Sequence, residues 1–461
     1  MDYNESVRYL LTLGRELASP QQALAAKFDL HNIRVICERM GHPERQFASV
    51  HIAGTNGKGS TAAMLASIIQ AAGLRCGLYT SPHLVRINER IRLDSADISD
   101  EQFAESFTRV LASVEELLAS GTLAAHPTYF ECVTAMAFDF FARATVEIAV
   151  VEVGLGGRLD STNVIVPEVA AITQIDFDHE NFLGHSIEDI AAEKAGIIKP
   201  GAWVVSGAEN PAAREVIRRR AADQGARLVE IDKVCRVSHL SAEDGRYRFQ
   251  VRLADDLGTS SGRELKIALP LAGRFQVRNA VTAITAARLL AQRRFAISDD
   301  AIVHGIQSVR WPGRLERLQE SPAVYLDGTH NPAGAREVLT FWREHLAGRR
   351  IHLIYGAMRD KAIDEVAGLL FPHAATVILT QSPQPRSLSA QTLAEMTSHL
   401  AENVEVTREP GAALDRALEI AKPNDVIFAT GSLYLVGDLH RHWDAHTTPE
   451  YARESGKTVT S

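Results

Sequence analysis

Cysteine is scarce in this 461-residue chain: Cys37, Cys76, Cys132 and Cys235 stand far apart, in neither a disulfide framework nor a zinc-type spacing. That usage fits a reducing compartment. The chain also lacks any window approaching the ~18 consecutive apolar residues of a membrane span. Its net charge of -8 leaves no basic footprint, which argues against nucleic-acid binding and means that an anionic ligand needs locally cationic sites. Internal repeats and low-complexity segments are missing as well. The start, MDYNESVRYLLTLGRE, has acidic residues early and no long apolar core, so neither a secretory nor a mitochondrial leader is expected; with the cysteine usage, the expected location is the cytoplasm.

What is present is ordinary globular material, with 46% hydrophobic and 23% charged residues, enough apolar content to bury a sizeable core. The length is too great for one such core and suggests two domains.

The stretch that organises the chain is HIAGTNGKGST, His51 to Thr61, where an apolar strand meets a glycine-rich turn and then a helix. Gly54, Gly57 and Gly59 permit backbone angles closed to other residues, so main-chain N–H groups can close on an anion, and Lys58 adds a point charge. The following helix directs its positive end to the same place, and Ser60 is within reach of a magnesium ion on phosphates. The standard phosphate-loop pattern is not met: Ile52 and Gly59 stand where it has glycine and Ser or Thr. A plain tight turn is the competing reading.

Further loops follow apolar strands. RCGLYTSPHLVRINERIRL carries a strand ending at Thr80, then a polar loop with Ser81, His83, Arg86 and Arg90. EIAVVEVGLGGRLDSTN carries a buried-type strand ending at Glu152, then Arg158, Asp160 and Asn163. EVAAITQI runs out into DFDHENFLG with Asp176, Asp178 and His179. Acids at the C-terminal ends of parallel strands sit where such sheets bind ligands. In the helix SIEDIAAEKAGIIKPG, Lys194 reads by position as a solvated charge near a helix end. The region from about Trp203 to Pro270 alternates apolar and polar residues and predicts β-rich excursions from the sheet. Two helical segments precede the phosphate turn, and DEQFAESFTRVLASVEELL, YFECVTAMAFDFFA and FQVRNAVTAITAARLLAQ read as helices. Trp311-Pro312-Gly313-Arg314 is the candidate hinge. Beyond it AVYLDG, IHLIYGAM, TVILTQ and DVIFATGS alternate with helical segments, the pattern of a second, mostly parallel α/β domain.

Taken in order, GTNGKGS, TSPHLVRINERIR, TYFE, EVGLGGRLDSTN, FDHENFLG, EKAGI, FQVRNA, PGR, DGTHNP and RDK give the chain, from about Leu10 to His440, a specific resemblance to the folylpolyglutamate synthase and dihydrofolate synthase family, relatives of the Mur peptide ligases. Thr329 departs from the family's usual small residue, with Asp327 and His330 in place. The resemblance implies an α/β fold: an N-terminal P-loop-type parallel-sheet ATPase domain with an added β-rich segment, residues 1–310, binding ATP and pteroate or folate. A C-terminal Rossmann-like ligase domain, residues 311–445, and a disordered tail, 446–461, complete it.

The implied activity is ATP-dependent addition of L-glutamate to dihydropteroate and to tetrahydrofolate. A substrate carboxylate attacks the γ-phosphate to give an acyl phosphate, and the glutamate amine displaces phosphate from it, chemistry that rests on orientation and electrostatics rather than a protein nucleophile. By resemblance, Thr55, Asn56, Gly57, Lys58, Gly59 and Ser60 hold the ATP phosphates, with Asn279, Arg314, Asp327 and His330 as further nucleotide contacts. Mg²⁺ falls to Ser81, Glu152 and His179, with Ser60 as an additional or alternative ligand. Lys194 matches the lysine that the family carbamylates, which answers the solvated-charge reading. Lys58, Lys194, His179 and Glu152 form the catalytic set. The pterin-bearing substrate matches Lys27, Phe28, Asp29 and Leu30, then Thr128, Tyr129, Phe130 and Glu131, then Leu159, Asp160 and Ser161. Phe130 offers a stacking face or is ordinary core, and Asp29 or Asp160 can accept from pterin nitrogens. ATP shared between domains, with closure about Pro312-Gly313, is also implied. The expected protein is a monomer without nucleic-acid or membrane partners. The alternatives are a folylpolyglutamate synthase lacking the dihydrofolate synthase activity, a Mur-type amino-acid ligase, for which the N-terminal lead-in is short, and a non-catalytic ATP-binding switch.

Overall fold

The computed structural model describes residues 1–13, 29–254, 264–359 and 362–447. Lys27 and Phe28 therefore lie outside the described residues, as do Asp360 and Lys361 of the RDK motif and most of the expected tail. The chain divides into two compact units. The first is Met1–His83, Asn88–Pro270 and Phe275–Arg310; the second is Leu84–Ile87, Leu271–Arg274 and the described residues from Trp311 on.

The first unit is built on an eight-stranded sheet. Its strands are β1 (Ala48–Ala53), β2 (Cys76–Tyr79), β3 (Ile91–Leu93), β4 (Ala96–Asp97), β5 (Ile148–Glu152), β6 (Val169–Ile172), β7 (Trp203–Ser206) and β8 (Arg227–Glu230), in the spatial order β4-β3-β2-β5-β1-β6-β7-β8. From β2 to β8 every neighbouring pair is parallel. The central strands are continuous apolar runs because both faces are covered, and β5 and β6 are buried at every residue. The helix Lys58–Ala71 packs against this sheet, its buried side including Met64, Leu65, Ile68 and Ile69. The helix Tyr129–Arg143 is buried along nearly its whole length and opens with a capping box between Thr128 and Glu131.

Two sequence expectations change here. The region from Trp203 is not wholly an excursion: β7 and β8 belong to the main sheet, joined by a helix over Pro211–Asp223 that the alternation of residues hid. Only β9 (Cys235–Glu243), β10 (Arg246–Leu253) and β11 (Leu265–Leu269) form a separate antiparallel sheet. The stretch after the Ser81 loop returns as β3, antiparallel to β2, rather than remaining a connection. The lead-in helices are present at Tyr3–Thr12 and His31–Arg39, the first capped reciprocally by Asp2 and Glu5.

The second unit holds a six-stranded sheet of β12 (Glu316–Glu320), β13 (Ala323–Leu326), β14 (Ile351–Tyr355), β15 (Thr376–Leu379), β16 (Val404–Val406) and β17 (Val426–Thr430), ordered β12-β13-β17-β14-β15-β16. All neighbours are parallel except β12, which lies antiparallel on β13. The short polar strands β12 and β16 at the edges carried no apolar signal in the sequence. The final helix, Leu433–Thr447, takes in His446 and Thr447, two residues assigned above to a tail. Among the described residues no helix is long and apolar enough to cross a membrane.

Candidate functional site

Four motif-bearing loops of the first unit leave the C-terminal ends of four strands that are consecutive in the sheet, β2-β5-β1-β6. Their parallel direction brings to one edge residues more than 100 positions apart in sequence. The phosphate turn follows β1, the Ser81 loop follows β2, Glu152 ends β5, and the DFDHENF loop follows β6.

The phosphate turn is fixed on several sides. Thr55 N–H donates to Gln174 O at 2.8 Å, and its hydroxyl donates to Asp176 O at 2.9 Å. Thr173 Oγ1 donates to Asn56 O at 2.8 Å. Gly57 caps the helix with φ +85°, and a Cβ there would fall 2.3 Å from Asn279 Oδ1, so glycine is required twice over. Asn279 thus lies against the turn, and it donates to Gln276 Oε1 at 2.9 Å, while Gln276 donates to Ser60 Oγ at 3.1 Å. Ser60 is buried. Lys58 Nζ folds back onto Gly54 O and Thr55 O, at 3.0 and 3.1 Å.

Lys194 is not the solvated charge that its position near a helix end suggested. It is buried, and its Nζ donates to Gly54 O at 2.8 Å. Burial lowers its pKa to about 7, assisted by repulsion from Lys58 and opposed by Asp178 and Asp160. Its helix, Ile187–Ala195, locks onto the loop after β5: Arg158 N–H donates to Glu193 O at 2.8 Å, and Arg158 Nη2 pairs with Glu193 Oε1 at 2.8 Å.

Glu152, 4% exposed, accepts from Ser81 N–H at 3.2 Å, which places the Ser81 loop and the end of β5 side by side. His179 adopts left-handed backbone angles, φ +51°, and its ring stands 3.8 Å from Asp178 Oδ2. Arg90 is buried, donates to His83 Nδ1 at 2.9 Å and lies over the Tyr129 ring. Among the described residues no group of three or more His, Cys, Asp or Glu side chains is arranged to hold a metal ion.

The positions matched to the pterin-bearing substrate divide. Phe130 lies half-buried over Gly154, just past the end of β5, its ring 6.2 Å from that of Tyr79. Leu159 and Ser161 are half-buried on the loop after β5. Asp160, expected as an acceptor for pterin nitrogens, is instead buried and closed within its own loop. It accepts from Leu155 N–H, Thr162 N–H and the Thr162 hydroxyl, with Gly154 N–H a fourth donor, so its lone pairs are taken. Burial raises its pKa against those hydrogen bonds. Glu131 and Thr128 are likewise engaged with each other: Glu131 Oε2 accepts Thr128 N–H at 2.7 Å and its hydroxyl at 2.8 Å. Tyr129 is buried. Asp29 is exposed and accepts His31 N–H at 2.8 Å, and Leu30 is buried.

In the second unit, Asp327 is buried and joins two turns, accepting Leu315 N–H at 2.9 Å and Thr329 N–H at 3.0 Å. Arg314 Nη1 donates to Gly313 O at 3.0 Å, and His330 Nδ1 contacts Gly328 O at 2.9 Å. Asn331 caps the helix Pro332–His345.

Sequence reasoning missed Thr173 and Gln276, which pin Asn56 and Ser60. It also missed His51, whose Nε2 meets Thr162 Oγ1 at 2.8 Å beneath the Asp160 loop. The local sequence around each gives its side chain no role, so only the pairing of distant segments reveals it.

The Mur ligase middle domain matches residues 52–287, and the Mur ligase glutamate ligase domain matches residues 313–433. A dihydrofolate synthase/folylpolyglutamate synthase of Bacillus subtilis is 35% identical over 418 residues, 89% of this chain and 94% of its own length. A folylpolyglutamate synthase of Mycobacterium tuberculosis, solved with ADP and AMPPCP, is similar with a TM-score of 0.83 at 31% identity, over 95% of this chain and 98% of that one. A bifunctional folylpolyglutamate synthase/dihydrofolate synthase solved with Mn, AMPPNP and L-glutamate is similar with a TM-score of 0.79 at 30% identity, over 97% and 98%. The chain belongs to the dihydrofolate synthase/folylpolyglutamate synthase family of Mur ligases.

Proposed function

We propose that the chain is an ATP-dependent ligase that joins L-glutamate to the carboxylate of dihydropteroate and of reduced folates through an acyl phosphate. The observation that carries this is the meeting of Lys58 and Lys194 on Gly54 O, at the edge where Glu152 and Ser81 also lie. Two anions, a carboxylate and a triphosphate, must approach one another there, and the fixed Lys58 cation, with Mg²⁺ held by the carboxylate ligands, would lower the cost of that approach.

In this reading the backbone of Thr55 to Ser60 and the Lys58 ammonium cradle the phosphates, with Asn279 beside the turn. Arg314, Asp327 and His330 are proposed nucleotide contacts, Asp327 by holding the Arg314 turn. The donors suit Mg²⁺: the Ser81 hydroxyl and Glu152 carboxylate are hard oxygen ligands on adjacent strand ends, with His179 and Ser60 the remaining candidates. When bound, the ion neutralises phosphate charge and orients the transferred group. A lysine pKa near 7 leaves a neutral amine able to add to CO₂, forming an N–C bond and releasing a proton, so Lys194 is the proposed carbamylated residue. Phe130, Leu159 and Ser161 are proposed to line the pterin side, with Asp160 shaping their loop; Asp29, Leu30, Thr128, Tyr129 and Glu131 border it. Residues 1–310 are proposed to bind ATP and the pteroate or folate, and 311–445 to form the ligase domain. The protein is proposed to act in the cytoplasm as a monomer on small molecules, without nucleic-acid or membrane partners.

The test is a product assay with labelled glutamate, comparing dihydropteroate with tetrahydrofolate. Phosphate release from ATP is expected only with glutamate and either acceptor present. Release that depends on a muramyl-peptide precursor overturns the reading, and extension of tetrahydrofolate alone rejects the dihydrofolate synthase half.

A further inference from the structure

The second unit contains a titratable side chain that none of the roles above uses but whose contacts lead to Arg314. His440, on the helix Leu433–Thr447, contacts Glu316 Oε1 through Nε2 at 3.4 Å and Asp444 Oδ2 through Nδ1 at 3.1 Å. The other oxygen of Glu316 accepts Gly313 N–H at 2.8 Å. Glu316 therefore bridges His440 to the backbone immediately before Arg314.

That backbone is held from the other side too. Leu315 N–H donates to Asp327 Oδ2 at 2.9 Å, and Gly328 N–H donates to Gly313 O at 2.9 Å. Gly313 and Leu315 both take positive φ, +71° and +45°, so the turn is in a conformation that its own sequence does not favour at Leu315. External hydrogen bonds on both flanks are what keep it there. Hydrogen bonding to Glu316 raises the His440 pKa to about 9 against the cost of burial, with the charges of Glu316 on β12 and Asp444 on its own helix adding to it. Both ring nitrogens then carry protons at neutral pH and both can donate.

We infer that His440 is a positioning residue for Arg314, acting through Glu316 to hold the 313–315 turn. This rests on the reading of Arg314 as a contact to ATP. A guanidinium recognises phosphate oxygens through a planar fork, so a small rotation of the turn that bears it costs binding even when the charge is unchanged. His440 itself touches no substrate in this account.

Steady-state kinetics of the full chain test it. His440→Ala is expected to raise KM for ATP by about fivefold, the scale of one ordinary hydrogen bond felt at Arg314 through Glu316, with kcat and KM for the folate acceptor held. His440→Gln, which can still donate to Glu316, recovers most of the loss. In the Glu316→Gln background His440→Ala has little further effect, because its route is already cut. A merely structural role would lower the melting temperature of His440→Ala and leave KM for ATP alone, and that result overturns the inference. An Arg314→Ala variant with unaltered KM for ATP removes the reading beneath it, whereas a raised value there beside a wild-type value in His440→Ala overturns the positioning role by itself.

Discussion

The ammonium groups of Lys58 and Lys194 donate to one carbonyl oxygen, that of Gly54, at 3.0 and 2.8 Å. Two like charges on a single acceptor raise the cost of keeping both protonated, and the buried one yields: Lys194 has the lowered pKa, first through burial and then through Lys58.

Lys194 should therefore react with CO₂ in its neutral form. With ¹³C-enriched bicarbonate, a carbamate signal is expected to grow as pH rises through about 7. In Lys58→Met the midpoint moves to higher pH, because a repelling charge is gone. Loss of activity in Lys194→Ala with partial return on adding short-chain carboxylates supports the same chemistry; a wild-type rate in that variant dismisses it.

Lys58→Ala removes a half-buried charge from a turn whose backbone is held independently by Gln174, Asp176 and Thr173. Phosphate transfer is expected to fall by ~100-fold or more, the usual scale for removing a fixed group that stabilises developing charge. The thermal midpoint should hardly move. Turnover close to wild type would refute the phosphate cradle.

Gly154 leaves room for the Phe130 ring: an added Cβ would stand 2.5 Å from its Cζ. Gly154→Ala should displace that ring and raise KM for dihydropteroate while leaving KM for ATP in place. Unchanged acceptor KM in both Gly154→Ala and Phe130→Leu would return Phe130 to ordinary core.

His51 is fully buried and its Nδ1 has no hydrogen-bond partner, so burial, with the charge of Lys199 adding to it, depresses the pKa to about 3. Between that value and the unfolded value of 6.5 the unfolded chain binds the extra proton. The folded state thus keeps its full stability above the unfolded pKa and loses it as pH falls through this window, by about 2 kcal/mol at pH 5. Urea titrations of wild type and His51→Gln at pH 7 and pH 5 measure it; an equal acid loss in both proteins would assign it to other groups.

Much of this molecule was legible in the sequence because its parallel strands are continuous apolar runs that end in glycine-rich or acidic loops. Glu152, Lys58 and the alternating strands of the second unit stand where that logic puts them. The helix over Pro211–Asp223 was hidden because its arginine-rich exposed face masks the apolar period. Edge strands β12 and β16 were hidden because neither face of them is fully buried, so neither an apolar run nor an alternation marks them. Asp160 looked like a ligand acceptor because a sequence shows that a carboxylate is present, but not which donors surround it. Its donors are local, the N–H groups of a tight loop.

By itself the sequence determined the strand-turn-helix at His51 to Thr61, the α/β class and the order of the motifs, since these depend on local backbone freedom and on hydrophobic periodicity. Tertiary structure alone decided that Lys194 lies buried on the phosphate turn, 140 positions from Gly54, and not in solvent at a helix end. The reason is physical: an ammonium's proton affinity is set by the water it loses and the charges it meets, and both come from segments that only the packed fold brings together.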